Sequence, residues 1–213
     1  MYLKKKLIFF GVAFILFNAF AIAVFAQNST FRFENISSAQ GITDLNVRAI
    51  IQDKQGFIWI GSEDGLTRYD GYSSVIYRHE NGDQHSLSDN EVYALCTDND
   101  GSLWIGTRKG LNRYDAENDR FEVFLHDSSN NNSLANNEVF ALAKDLSGNL
   151  LVGTYGGGLD LLSKTATVKQ KKSIYRFTHF QHDDKDSNSI SNNQVFSVCV
   201  DQLGRAWVGT YNG

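Results

Sequence analysis

The chain has 213 residues, a formal net charge of −4, 13% aromatic residues, 18 glycines, two cysteines and no proline. That charge leaves no electrostatic footprint for nucleic acid, because phosphate binding needs clustered Lys and Arg, so no nucleic-acid partner is expected. Beyond the N-terminus no stretch carries a sustained helical period, and an all-β chain is predicted.

Lys4, Lys5 and Lys6 precede an almost uninterrupted apolar run from Leu7 to Phe25, which closes on Val24, Phe25 and Ala26 ahead of Gln27. A cationic start, an apolar run and a small residue at its end read as a secretory signal peptide over residues 1–26. The alternative is an uncleaved anchor, since the run approaches the ~20 residues that span a bilayer. Either reading exports residues 27–213, into the periplasm if the source is Gram-negative. No Cys follows the run, so no lipid anchor is indicated.

From residue 47 onward the chain repeats a unit. The first unit opens with the strand-sized run Val47 to Ile51, turns through Asp53 and Gly56, and continues through Gly56-Phe-Ile-Trp59-Ile-Gly61. Its third strand is Gly65-Leu-Thr-Arg-Tyr-Asp70 and its fourth is Ser74 to Arg78. The second unit runs through Val92 to Cys96, Asp98, Gly101-Ser-Leu-Trp104-Ile-Gly106, Gly110 to Asp115 and Phe121 to Leu125. The third has Val139 to Ala143, Asp145, Gly148-Asn-Leu-Leu151-Val-Gly153 and a late strand over Tyr175 to Thr178. The fourth has Val195 to Cys199, Asp201 and Gly204-Arg-Ala-Trp207-Val-Gly209. The leading glycines at 56, 101, 148 and 204 lie 45, 47 and 56 residues apart, a period that marks a repeat architecture. Asp at the first and Gly at the fourth position of a turn make the Trp phrase the second strand of a hairpin. Four short antiparallel strands per unit of this length describe a β-propeller blade.

The polar features that recur are read as scaffold. His79, His126 and His182 each stand seven residues before Ser86, Ser133 and Ser189, and each Ser leads to an Asn (Asn90, Asn137, Asn193) just ahead of an inner strand. They would form either a ring of polar loops at one mouth, where ligands bind, or caps that bond the backbone between blades. Repetition favours caps, because catalytic groups are unique and scaffold groups repeat. Cys96 and Cys199 occupy equivalent places in different units, too far apart for the ~7 Å Cα limit of a disulfide, and are expected as small buried core residues.

Asp98 to Lys109 starts like a calcium loop but has Leu103 at its sixth and Lys109 at its twelfth position, and reads as a turn. Gly153 to Gly158 lacks the Lys of a phosphate loop and reads as a tight connection. The motifs at Asn28, Asn35 and Asn131 match a glycosylation pattern without weight in a bacterial exporter. No catalytic, cofactor-binding or metal-ligating residue is assigned, no cofactor is expected, and the sequence does not identify ligand-binding residues.

The string Val92-Tyr-Ala-Leu-Cys-Thr-Asp98, Gly101-Ser-Leu-Trp104-Ile-Gly-Thr107, Gly110-Leu-Asn-Arg-Tyr-Asp115 resembles the two-component regulator propeller repeat. So does the opening Phe33-Glu-Asn-Ile36, Gln40-Gly-Ile42, Val47-Arg-Ala-Ile50. The resemblance covers Phe31 to Gly213. It implies an exported sensor region of a hybrid histidine kinase or diguanylate cyclase, in which two seven-bladed propellers and a small β-sandwich precede one membrane helix and cytoplasmic signalling domains. It further implies a parent in the inner membrane, conceivable as a homodimer, and an unknown ligand, with an oligosaccharide as one candidate class. A secreted propeller enzyme acting on glycans and a protein-interaction scaffold are the alternatives; an acid or base that breaks the repeat would favour the enzyme, and none stands out.

The third unit departs from the pattern. It has Leu151 for Trp and Asp160-Leu-Leu-Ser163 for Arg-Tyr-Asp, followed by a Lys-rich insertion from Ser163 to Ser173 that is expected as a solvated loop. Gly213 falls just after the Trp strand of the fourth unit, so residues 27–213 are expected to supply about three and a half blades. A seven-bladed ring at ~45 residues per blade needs about 315, and the strands around Phe31 to Ile36 would complete a final blade. The chain is therefore read as an N-terminal fragment whose signalling domains lie elsewhere.

Overall fold

The computed structural model describes Phe33, Ile36, Gly41, Ile42 and residues 46–166 and 173–213. Residues 1–26, read as a signal peptide, lie outside the described residues. Of the segment Phe31 to Ile36 only Phe33 and Ile36 are described, neither of them in a strand. The compact unit Ile36–Gly213 holds every described strand.

Blade 1 comprises β1 (Ala49–Gln52), β2 (Ile58–Ser62), β3 (Gly65–Tyr69) and β4 (Ser74–Tyr77). Blade 2 comprises β5 (Val92–Thr97), β6 (Leu103–Thr107), β7 (Gly110–Asp115) and β8 (Arg120–Phe124). Blade 3 comprises β9 (Val139–Lys144), β10 (Leu150–Thr154), β11 (Gly158–Ala166) and β12 (Ser173–Phe180), and the half-blade comprises β13 (Val195–Val200) and β14 (Ala206–Thr210). Each sheet is an antiparallel meander in chain order, and the first strands β1, β5, β9 and β13 lie beside one another as the inner strands.

The hairpin turns form where Asp and Gly predict them. The amide of Gly56, Gly101, Gly148 and Gly204 donates to the carbonyl of Asp53, Asp98, Asp145 and Asp201 at 3.0–3.1 Å. Those glycines have φ between +79° and +94°, a region that an L side chain enters only with strain. The Asp carboxylate has a second task. One oxygen caps the amide four residues on, and the other accepts from the indole Nε1 of Trp59 (2.7 Å), Trp104 (3.1 Å) or Trp207 (3.1 Å). In blade 3, where Leu151 replaces Trp, Asn149 Nδ2 donates to Asp145 Oδ2 at 2.7 Å instead.

The core lies between sheets. Trp59, Leu66, Leu87, Val92, Ile105 and Tyr114 pack between blades 1 and 2; Trp104, Leu111, Leu134, Val139, Val152 and Leu162 pack between blades 2 and 3. Leu151, Leu159 and Val195 form a smaller cluster against the half-blade. The second Gly of each Trp phrase is where sheets touch: a Cβ on Gly61, Gly106 or Gly153 would stand 2.5–2.7 Å from Cγ1 of Val92, Val139 or Val195.

Two expectations need correcting. Cys96 is buried, but Cys199 is exposed, because among the described residues no sheet covers the outer face of β13–β14; Trp207 there is 57% exposed, against 2% for Trp104. The insertion after Ser163 is not simply a loop. It lengthens the β11–β12 hairpin, whose register runs from Leu159↔Phe180 to Ala166↔Ser173, and Lys164 pairs with Asp100; residues 167–172 are outside the described set.

Candidate functional site at the mouth of the inner strands

The mouth is built from three positions per blade: the residue before the inner strand's first Val, the residue after that Val, and the residue two places beyond the second Gly of the Trp phrase. The backbone brings them together. Arg108 N donates to Glu91 O (3.0 Å), Tyr155 N to Glu138 O (2.9 Å) and Tyr211 N to Gln194 O (3.1 Å), locking each β-turn to the head of an inner strand.

Across the arc these triplets change character. In blade 1, Asn46 Nδ2 bonds Glu63 at 3.1 Å and Arg48 pairs with the same carboxylate. In blade 2, Arg108 NH1 donates to Glu91 at 2.8 Å and Arg108 Nε lies 4.0 Å from Glu138, while Tyr93 OH donates to Glu91 at 2.9 Å. The Arg108 guanidinium holds the Glu91 carboxyl below its ordinary value. Burial, aided by the bond to Glu91, pushes the Tyr93 phenol up to about 12. Blade 3 and the half-blade supply rings instead. Tyr93 and Phe140 stack at 4.5 Å, and Phe140, Tyr155 and Phe196 are mutually 5.6–5.9 Å apart. Tyr155 is 39% and Phe196 42% exposed. The result is an ionic half, balanced by its own pairs, and an aromatic half flanked by Glu138 and Gln194. Flat apolar faces beside a carboxylate and an amide suit a ligand that has both a stackable face and a hydroxyl or amine rim.

The recurrent Ser, Asn and His residues are not part of this surface. His79, His126 and His182 donate their backbone N–H to Asn90, Asn137 and Asn193 at 2.7 Å, and their Nδ1 lies 2.7 Å from the carbonyls of Leu87, Leu134 and Ile190. Ser86, Ser133 and Ser189 accept the next backbone N–H at 2.9–3.0 Å. They cap the connections between blades. Asp98, at the head of the calcium-like string, spends its carboxylate on Ser102 N and Trp104 Nε1. Gly153 to Gly158 makes the strand connection, with Thr154 Oγ1 donating to Gly158 O at 3.0 Å. Among the described residues no cluster of three or more His, Cys, Asp or Glu is placed to hold a metal ion.

The mouth residues left a trace in the sequence that motif reading passed over. At the position after the first Val of each inner run, blade 1 carries Arg48 where the later copies carry the aromatic Tyr93, Phe140 and Phe196. A second missed feature is an acid and a base unique to one blade. Asp160, fully buried, lies 2.7 Å from His179 Nδ1. Both imidazole nitrogens are engaged, Nε2 with Asn131 O at 3.0 Å, so the pair has the geometry of a brace and not of a free general base.

Meanders of four strands, stacked through a core of apolar contacts with their first strands innermost, define a β-propeller with three blades and half of another. Residues 41–64, 86–109 and 189–212 match the family described as two component regulator propeller. The third blade, with Leu151 and Asp160, is the one without a matched segment. The chain is 42% identical over 74 residues to histidine kinase P4 of Formosa agariphila, an alignment that takes 35% of this chain and 5% of that protein. Among solved structures, the extracellular domain of a one component system of B. thetaiotaomicron superposes with a TM-score of 0.65 at 24% identity, covering 86% of this chain and 23% of that one. The extracellular domain of a hybrid two component system from the same organism gives 0.51 at 17% identity, over 84% and 40%. These two likenesses establish the fold. The chain spans less than half of the length of each of these relatives.

Proposed function

We propose that this chain is the input module of a transmembrane signalling receptor: an extracytoplasmic propeller that binds a ligand at the inner-strand mouth and biases a kinase or cyclase carried elsewhere in the same receptor. The observation that carries the reading is the coincidence of two-component regulator propeller repeats with a mouth at which the rings of Tyr93, Phe140, Tyr155 and Phe196 cluster beside Glu138 and Gln194. Export through residues 1–26, a periplasmic setting, an inner-membrane parent and its dimerisation belong to the same proposal. The chain itself is assigned no catalysis. Its blade-specific acid and base are tied into the scaffold.

The ligand class proposed is an oligosaccharide, whose pyranose faces would stack on Phe140, Tyr155 and Phe196 while Glu138 and Gln194 take hydroxyls. Signalling then requires the ligand to prefer one receptor state over the other. Saturation-transfer difference NMR against a panel of oligosaccharides tests this. Binding should be lost in Phe140→Ala and Tyr155→Ala and retained in Arg120→Ala on the outer strand. A panel without a binder, or binding indifferent to both mouth substitutions, would overturn the assignment.

A further inference from the structure

We propose that Asp160 and His179 form a proton-loaded clamp that ties the connection between blades 2 and 3 to the outer strands of blade 3, and that this connection loosens when the proton leaves at alkaline pH. The inference is independent of whether the mouth binds a ligand.

His179 Nδ1 lies 2.7 Å from Asp160 Oδ1 and Nε2 lies 3.0 Å from the carbonyl oxygen of Asn131. A carbonyl can only accept, and so can an ionised carboxylate, whereas a neutral imidazole has a single N–H. With Asp160 ionised and His179 neutral, one of the two contacts would set lone pair against lone pair. Both are satisfied in two arrangements: an imidazolium between carboxylate and carbonyl, or a carboxylic acid donating to Nδ1 while Nε2–H donates to Asn131. Each arrangement holds one more proton than the ionised acid and neutral base, and that proton belongs to the pair.

The clamp has a defined load. Asp160 Oδ2 accepts from Ala135 N at 2.8 Å, so the pair grips the connection at Asn131 and at Ala135. Between these points Asn132 pairs with β12 through Tyr175 O (3.2 Å) and Phe177 N (2.9 Å). The same connection leads into Glu138 and Phe140. The sister blade does this job without a proton. Asn112 stands where blade 3 has Asp160, accepts from Ser88 N at 2.9 Å, and faces Val123 where blade 3 has His179.

Burial raises the Asp160 carboxyl above its ordinary range, and the carboxylate raises His179 against the opposing effect of its partial burial. The other titratable group that acts on Asp160 is His126 of the connection itself. Both shifts have the same sign in linkage: the folded state binds the proton more tightly than the unfolded chain. The stabilisation is full below the ordinary His value of ~6.5 and disappears as pH rises through the pair's raised value.

The test compares the full chain with Asp160→Asn/His179→Val, which copies the neutral pair of blade 2. Backbone hydrogen exchange in residues 127–138 is measured for both between about pH 6 and about pH 9, so that the intrinsic pH dependence of exchange cancels in the ratio. The ratio of wild-type to variant rates should rise across that range as the proton leaves the pair. A constant ratio overturns the clamp. Should the variant not fold, the ring nitrogens of His179 in the wild-type protein decide by 15N NMR: titration above ~6.5 is expected, and titration at that ordinary value overturns the proposal.

Discussion

Replacing Trp104 by Leu should cost about 2–4 kcal/mol, and adding Ser102→Asn should recover about 1–2 kcal/mol of it. The first figure follows from burial. Trp104 is 2% exposed and packs against Phe124 and Tyr175, each at a ring separation of 5.5 Å, and trimming a buried aromatic leaves a cavity. The second follows from Asp98. Its carboxylate sits in a residue only 8% exposed, and loss of the indole N–H at 3.1 Å strands a charged acceptor, worth roughly 1–3 kcal/mol. Blade 3 already contains the remedy: Asn149, equivalent to Ser102, gives Asp145 Oδ2 a 2.7 Å bond beneath Leu151. Urea unfolding followed by far-UV circular dichroism closes the double-mutant cycle. In the wild-type background Ser102→Asn should change stability by no more than about 0.5 kcal/mol, as for an ordinary peripheral substitution, because the indole already occupies the site. Equal gains in both backgrounds, or none in either, would refute the idea that the repeated Asp is a brace for its second strand.

Three further expectations follow. Trp207→Ala should cost less than half of what Trp104→Ala costs, since Trp207 keeps its bond to Asp201 but is 57% exposed; thermal denaturation of the two variants shows whether sheet-on-sheet burial dominates. Gly106→Ala should lose about 1–3 kcal/mol to overpacking, because the new Cβ would stand 2.7 Å from Val139 Cγ1 and 2.8 Å from its carbonyl, and a Tm equal to wild type would contradict that contact. Arg48→Ala should shift stability by less than about 1 kcal/mol, as for other solvent-exposed pairs, given that Arg48 and Glu63 are 39% and 43% exposed; a larger loss in urea unfolding would mean that the ionic half of the mouth holds the blades together.

Most of the fold could be read from the chain because the same physical demands recur in each unit. Asp and Gly fix a turn, the following apolar residues alternate between two sheet faces, and a second Gly allows the next inner strand to approach. Three things escaped. The indole-to-Asp bond is invisible as a motif because Asp was already accounted for by the turn. The difference between Cys96 and Cys199 depends on which neighbour covers a sheet, and equivalent positions in a sequence carry no record of that. The Asp160–His179 pair escaped because its residues differ from their counterparts in the other blades, while repetition directs attention to residues that agree; the mouth escaped because Tyr93, Phe140 and Phe196 read as ordinary strand residues. The available signals were the aromatics at Tyr93, Phe140 and Phe196 in place of Arg48, and the change from Thr67 and Asn112 to Asp160.

The central claim is that this propeller serves a signalling receptor, and the gene itself tests it most directly. Nucleotide sequencing across the codon for Gly213 should show an open frame that continues into further Trp-Ile-Gly units, a membrane-spanning helix and a kinase or cyclase domain. A frame that continues instead into a hydrolase or lyase domain, with no membrane helix and no signalling domain, would contradict the account.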